Sequence, residues 1–169
     1  MNKRRVFVAF ALAAGLGVTA VATALSANAA QGEFIQIVNS ISGKCADVED
    51  VSLDAGARVH QWSCHNDDNQ LWLPVNQGDG YVKYVNKHSG LCLAASVLSN
   101  SSLTQQGCAL GGYEQRWRWG PADDAGHLVL QNGLGNFCLA HQGVYSARNG
   151  WQLEIHDCAT TSGQFWHAG

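Results

Sequence analysis

Three short stretches, Gln70-Leu71-Trp72, Gln115-Arg116-Trp117 and Gln164-Phe165-Trp166, repeat the tripeptide Gln-x-Trp at a period of 45 to 49 residues. A period of this size is the signature of a fold built from one repeated supersecondary unit. The chain of 169 residues is therefore predicted to contain a single domain of three such units. The domain is expected to cover residues 30–169, with the units at about 33–76, 80–120 and 126–169.

Each unit also begins in the same way, with an asparagine six residues before a cysteine. Short apolar or β-branched stretches lie before or at these asparagines, at 34–38, 81–85 and 128–130, and turn residues flank them. Such stretches are typical of β-strands, and no window shows an amphipathic helical stripe longer than two turns. A β-propeller has a similar period but usually needs at least four blades. The sequence therefore predicts an all-β fold of three pseudo-threefold units, each with about four strands.

The six cysteines of the chain all lie after residue 30, and their even number favours disulfides in an exported protein. Six cysteines allow 15 pairings, and the spacing favours one bridge within each unit. A zinc site is the competing interpretation, although the short C-x-x-C spacing that it prefers is missing. The favoured pairs are Cys45 with Cys64, Cys92 with Cys108, and Cys138 with Cys158.

Repeats of about 45 residues that end in Q-x-W and contain a cysteine pair resemble the ricin-type β-trefoil lectins. They also resemble the modules attached to secreted actinobacterial xylanases. The resemblance covers residues 31–169, and three motifs in register make it specific. It implies a six-stranded barrel capped by three hairpins, with one potential sugar pocket in each repeat.

The first repeat carries the complete set of residues that such a sugar pocket needs. The resemblance implies that Asp47 accepts hydrogen bonds from sugar hydroxyls and that Trp62 stacks on the sugar ring. Asp50 also matches a contacting position, but similar modules often carry an amide there, which leaves its role open. Gln70 is expected to brace the loop first and to contact the ligand second. The candidate sugar-binding residues are Asp47, Asp50, Trp62, His65, Asn69 and Gln70.

The other two repeats lack this set at the equivalent positions. In the second repeat, Ala94 replaces the carboxylate and Gln106 replaces the stacking ring, so this pocket is expected not to bind. In the third repeat, Ala140 replaces the carboxylate and His156 is only a weak stacking ring. The asparagines, glutamines and tryptophans that recur in all three repeats are expected to be structural, because they persist where the pocket residues are lost.

The first 29 residues read as a secretory signal peptide. A basic start, with Lys3 and Arg4-Arg5, precedes an apolar run over 6–25 and the cleavage signal Ala27-Asn28-Ala29. A membrane anchor is the competing interpretation, and Arg4-Arg5 is weak evidence for twin-arginine export over the general route. Cleavage leaves seven lysines and arginines against thirteen acidic residues, a net charge of −6. We therefore expect an extracellular protein that binds neither nucleic acid nor, once cleaved, a membrane.

The predicted function is sugar binding through the first repeat, with galactosyl or xylosyl and arabinosyl glycans as the implied partners. The alternative is a protein-binding module, such as a protease inhibitor or a subunit of a secreted complex, that keeps a relic sugar site. The sequence has no H-E-x-x-H, G-x-S-x-G or phosphate-loop motif, so no catalysis, metal or cofactor is predicted. The adjacent acids Asp67-Asp68 and Asp123-Asp124 are interpreted as solvated turns.

Overall fold

The computed structural model describes residues 32–96, 102–110, 112–121, 123, 126–141, 147–159 and 161–169. The predicted signal peptide at 1–29 and Asp124 lie outside these residues. No helix in the described part of the chain has the length and apolar character needed to span a membrane.

The described residues form twelve β-strands, four in each repeat, joined by turns and five short 3-10 segments. The first repeat contains β1 (Ile37–Asn39), β2 (Lys44–Val48), β3 (Val59–Ser63) and β4 (Trp72–Gly78). The second contains β5 (Tyr81–Asn86), β6 (Cys92–Ala94), β7 (Thr104–Gln106) and β8 (Trp117–Trp119). The third contains β9 (Leu128–Asn132), β10 (Phe137–His141), β11 (Trp151–Asp157) and β12 (Phe165–Ala168).

The first and last strands of each repeat form a six-stranded barrel. Antiparallel pairing runs from β4 through β5, β8, β9 and β12 to β1. A bridge between Ile35 and Trp72 joins the segment before β1 to the start of β4 and closes the ring.

The two middle strands of each repeat form a hairpin, and the three hairpins cap the barrel. The hairpins contact one another around the pseudo-threefold axis. Arg58 pairs with Thr104 and Ser102 with Glu154 in isolated bridges, and β3 pairs with β11 at Gln61–Trp151 and His60–Gln152. This confirms the β-trefoil architecture and the four strands per repeat that the sequence predicted.

The three Q-x-W tryptophans, Trp72, Trp117 and Trp166, are completely buried at the centre of the core. Their indole N–H groups donate hydrogen bonds of 3.1, 3.1 and 3.0 Å to the carbonyls of three hairpin residues. The acceptors are Ala46, Leu93 and Leu139, each of which directly follows the first cysteine of its repeat. Each tryptophan therefore joins a barrel strand to the cap.

The three disulfides have the predicted pairing, and the alternative zinc interpretation is wrong. The bridges join Cys45 to Cys64, Cys92 to Cys108, and Cys138 to Cys158. Each one ties the first strand of a hairpin to the segment that follows the second strand. Closing a loop of 16 to 20 residues stabilises a fold by about 3 kcal/mol, chiefly by restricting the unfolded chain.

The Q-x-W glutamines brace the segment around the second cysteine of each repeat. The side-chain amides of Gln70, Gln115 and Gln164 donate to the carbonyl of the residue before that cysteine, over 2.9 to 3.1 Å. In the first and third repeats, Oε1 also accepts the N–H of the residue after the cysteine. The same bonds in different repeats show that these glutamines belong to the scaffold.

We expect Trp117→Phe to lower the free energy of unfolding by about 2–4 kcal/mol, because it leaves a void and a buried carbonyl without its donor. The matched control is Trp62→Phe, the same change at a ring that is 39% exposed, with an expected effect of at most about 0.5 kcal/mol. Urea unfolding of the disulfide-bonded protein measures both. Equal losses in the two variants would contradict the role of the indole bond.

Candidate functional site

The first-repeat hairpin brings the key side chains together through its strand register. Asp47 on β2 lies directly opposite His60 on β3. His60 and Trp62 are two residues apart on the same strand, so their side chains project from one face. Their rings stack with centroids 5.3 Å apart and planes 18° from parallel.

The carboxylate of Asp47 is the centre of the site, although the residue is only 4% exposed. His60 Nε2 lies 2.9 Å from Oδ1, which places a ring proton on Nε2 because an ionised carboxylate can only accept. Oδ2 accepts hydrogen bonds from Asn69 Nδ2 at 3.1 Å and Gln70 Nε2 at 2.7 Å. His65 Nε2 lies 3.3 Å from the same oxygen. Four side chains thus fix the position of this carboxylate.

Asn69 and Gln70 reach the carboxylate from the short 3-10 segment Asp68–Gln70, which leads into β4. Asn69 Nδ2 also donates to the carbonyl of Val48, and Gln70 also braces the carbonyl of Ser63. The structure therefore places both residues in the scaffold as well as beside Asp47.

Two buried polar atoms of the site have no hydrogen-bond partner among the described residues: Asn69 Oδ1 and His60 Nδ1. Buried polar groups in folded proteins are nearly always satisfied, and exceptions point to a functional role or to bound water. Trp62 is the exposed member of the cluster, and His65 is partly exposed. The site thus combines buried, hydrogen-bonded polar groups around Asp47 with the exposed aromatic ring of Trp62.

No hydrogen bond or ion pair joins Asp50 to this cluster in the described part of the chain. Asp50 sits in the 3-10 segment Glu49–Val51, where its backbone adopts a left-handed conformation with a φ of 56°. Its side chain is exposed, and no hydrogen bond within the described residues links it to Asp47. A role for Asp50 in ligand contact stays a prediction.

An ion pair lies on the other side of His60. The Arg58 guanidinium donates two hydrogen bonds to Glu49, and Glu49 Oε1 lies 3.8 Å from His60 Nδ1. The hydrogen bond from Arg58, helped by its positive charge, lowers the pKa of the Glu49 carboxyl from its ordinary value. Glu49 therefore stays ionised in mildly acidic solution and keeps a negative charge beside the imidazole.

His60 is the site residue that the sequence analysis missed. The signal was the position itself: a histidine two residues before Trp62, in the strand that pairs with the strand of Asp47. The corresponding residues of the other repeats are Thr104 and Glu154.

The second-repeat pocket persists as a cleft of about 380 Å³. Small and polar side chains line it, including Ala94, Gln106, Glu114 and Gln115. Gln115 Oε1 is buried there without a partner in the described part of the chain. The cleft has neither the aromatic ring nor the buried carboxylate of the first repeat.

The third repeat contains a buried carboxylate that a position-by-position comparison of the repeats could not reveal. Ala140 occupies the position of Asp47, but Glu154 lies directly opposite it on β11. Glu154 is 8% exposed, and its Oε2 lies 2.9 Å from His156 Nε2. A carboxylate–imidazole pair is thus present, but both members come from a single strand. In the described residues, no three His, Cys, Asp or Glu side chains are placed to hold a metal ion.

We expect Asp47→Ala to lower the free energy of unfolding by about 2–4 kcal/mol, because the buried donors of His60, Asn69 and Gln70 lose their acceptor. Asp67→Ala is the control, since that exposed carboxylate contacts only His65 in the described structure. Its effect should stay within about 0.5 kcal/mol. Thermal or urea unfolding compares the two, and equal stability would show that the Asp47 network is not energetically coupled to the fold.

Known structures share this architecture. The designed threefold-symmetric protein ThreeFoil is 31% identical, with 80% of this chain and 96% of that chain covered and a TM-score of 0.74. An exo-β-1,3-galactanase from Clostridium thermocellum is 29% identical over 80% of this chain, with a TM-score of 0.73. This chain spans only 30% of that enzyme.

The ricin B-like lectin of Macrolepiota procera, solved in complex with lactose, shares the fold at 17% identity and a TM-score of 0.68. That alignment covers 82% of this chain and 95% of the lectin. A search of curated protein sequences gives no significant match. The sequence profile of the ricin-type β-trefoil lectin domain-like family matches residues 23–107, half of the chain. Together with the identity to ThreeFoil, this match shows that the chain belongs to the ricin-type β-trefoil lectin domain-like family.

Proposed function

We propose that this protein is a secreted carbohydrate-binding module whose working site is the first-repeat pocket. The observation that carries the proposal is the Asp47 carboxylate, held by side-chain donors beside the exposed ring of Trp62. A carboxylate and an aromatic ring are the two groups that a shallow sugar site needs. Family membership supports a binding role, and we propose no catalytic one.

We infer different roles for the groups around Asp47. The buried donors of His60, Asn69 and Gln70 orient the carboxylate. His65 makes the longest contact, at 3.3 Å, and is about one-third exposed. We infer that sugar hydroxyls approach beside His65 and share Asp47 Oδ2 with it, forming charge-assisted hydrogen bonds.

Trp62 supplies the apolar surface for the C–H face of the sugar ring. His60 stacks against it from within the same strand, which restricts the rotation of the indole. The turn before β11 flanks it, since a Cβ on Gly150 would lie 3.8 Å from Trp62 Cζ3. A ring held in this way loses little conformational freedom when a ligand binds.

We propose galactosyl or xylosyl and arabinosyl units as the ligands. The lactose complex of the Macrolepiota procera lectin and the galactanase from Clostridium thermocellum support the galactosyl choice. A single open pocket implies a dissociation constant on the order of 0.1–1 mM. The signal peptide, the extracellular location and the likeness to xylanase-attached modules stay predictions.

We expect Trp62→Ala to weaken sugar binding at least tenfold without a matching loss of stability, because the ring stacks on the ligand and is not part of the core. Trp62 is a sharper probe than Asp47, whose removal leaves buried donors unpaired. The matched control is Gln106→Ala, at the equivalent position of the second repeat, which should bind as the unchanged protein does.

The measurement is an NMR titration that follows the tryptophan indole N–H signals with galactose, lactose, xylose, arabinose and xylo-oligosaccharides. Saturable shifts at Trp62 with one sugar class support the proposal. If no sugar moves that signal at tens of millimolar, the first pocket is a relic and a protein partner becomes the better hypothesis.

A further inference from the structure

Three of the seven lysines and arginines of residues 30–169 gather on the outer face of the barrel. They are Lys83, Arg116 and Arg118, and they lie with Tyr81 and Tyr113 in what we call the cation–tyrosine patch. The patch is formed by β5, β8 and the 3-10 segment before β8. It lies outside the three hairpin pockets.

The strand register explains how these residues meet. Val82 pairs with Trp117, whose ring points into the core, so the flanking side chains of both strands point outward. Lys83 therefore lies beside Arg116 across the strand pair. Like charges in this arrangement destabilise a sheet, so stability alone does not account for the pairing.

The arginines are held in place by the tyrosines. Arg116 Cζ lies 4.8 Å from the centre of the Tyr81 ring and 5.6 Å from that of Tyr113. Arg118 Cζ lies 5.0 Å from the Tyr81 ring centre. One exposed carboxylate, that of Asp79, accepts a hydrogen bond of 2.6 Å from Arg116 Nη2. Glu114, whose carboxylate accepts a hydrogen bond from the N–H of Gly112, is a second anion next to the patch. Three cations against these two anions still leave the patch positive on a chain that is negative as a whole.

A cleft of about 260 Å³ opens within the patch. Its lining residues are Gln77, Lys83, Gly112, Tyr113 and Arg116. Lys83 Nζ donates to the carbonyl of Cys108, which fixes the ammonium at the wall of the cleft. Glu114, the nearest acidic neighbour in sequence, is engaged by the N–H of Gly112.

The hydrogen-bonding capacity of Arg116 exceeds what the protein uses. A guanidinium has five N–H donors, and the described residues accept one hydrogen bond from it, at Asp79. Its Nε is buried without a partner in that part of the chain. The planar fork of an arginine matches the two oxygens of a carboxylate.

We propose that the cleft in the cation–tyrosine patch is a second ligand site that binds the carboxylate of an acidic sugar, a hexuronate. Arg116 and Lys83 receive the carboxylate, and the ring of Tyr113, which is 63% exposed, covers the sugar's C–H face. The volume of the cleft is close to that of the smallest small-molecule binding sites, about 300 Å³. A small inorganic anion would not fill it. Asp79 disfavours doubly charged anions more than a monocarboxylate. The ligand class rests on the proposed carbohydrate-binding function, but the site uses neither Asp47 nor Trp62.

The test is an NMR titration of the disulfide-bonded protein with sodium galacturonate, galactose and sodium sulfate at equal ionic strength. Galacturonate is expected to shift the amides of Gly112 and Tyr113 saturably and at least tenfold more tightly than galactose does. Arg116→Lys keeps the positive charge but removes the planar guanidinium, and it should weaken galacturonate binding at least fivefold. Tyr113→Ala, a change at an exposed ring, should weaken it at least threefold.

Arg118→Gln is the matched control, because it removes a charge of the patch that does not line the cleft. It should change galacturonate affinity less than twofold. If Arg118→Gln lowers galacturonate affinity as much as Arg116→Lys does, the proposal is overturned in favour of non-specific electrostatic attraction. If sulfate binds as tightly as galacturonate, the assignment of a sugar ligand is overturned. Galacturonate binding that survives Trp62→Ala supports a separate site, even if neutral sugars fail to bind the first repeat.

Discussion

The hydrogen bond from each Q-x-W indole to a hairpin carbonyl is the interaction on which the rest of the structure depends. It is formed three times, by Trp72, Trp117 and Trp166, at almost the same length. Each bond satisfies a buried donor and a buried acceptor at once, which an apolar core cannot do by itself. Because each of these bonds joins a barrel strand to the cap, it fixes the position of one hairpin relative to the core.

This constraint connects the scaffold to the site in the first repeat. Trp72 holds the carbonyl of Ala46, and the next residue, Asp47, places its carboxylate among its donors. Gln70 takes part in both tasks, because it braces Ser63 and donates to Asp47. A binding group held by core-anchored residues is preorganised, so less free energy is lost when it meets a ligand. The site is therefore an extension of the core, and its polar members also contribute to stability.

The repeat period, the strands and the disulfide pairing could all be predicted, because each leaves a local signal in the sequence. The resemblance to ricin-type lectins implied that Asp47, Asn69 and Gln70 share a pocket, and hydrogen bonds do join the three side chains. His60 and Glu154 were not predicted, because their importance depends on which residue lies opposite across the hairpin. The turn and the packing around each hairpin set that register. A comparison of equivalent positions in the three repeats takes no account of it. The patch around Arg116 was missed for a related reason, since it depends on the pairing of β5 with β8 across the barrel.

The two kinds of surface in this fold follow different rules. The hairpin pockets occupy equivalent positions in the three repeats, and where the third repeat has Ala140 at the carboxylate position, Glu154 places a carboxylate on the opposite strand. The side chains of the outer barrel face alternate with the buried ones and take no part in the indole bonds. A threefold scaffold can therefore carry a ligand site in one repeat alone, as we propose for the cleft beside Arg116.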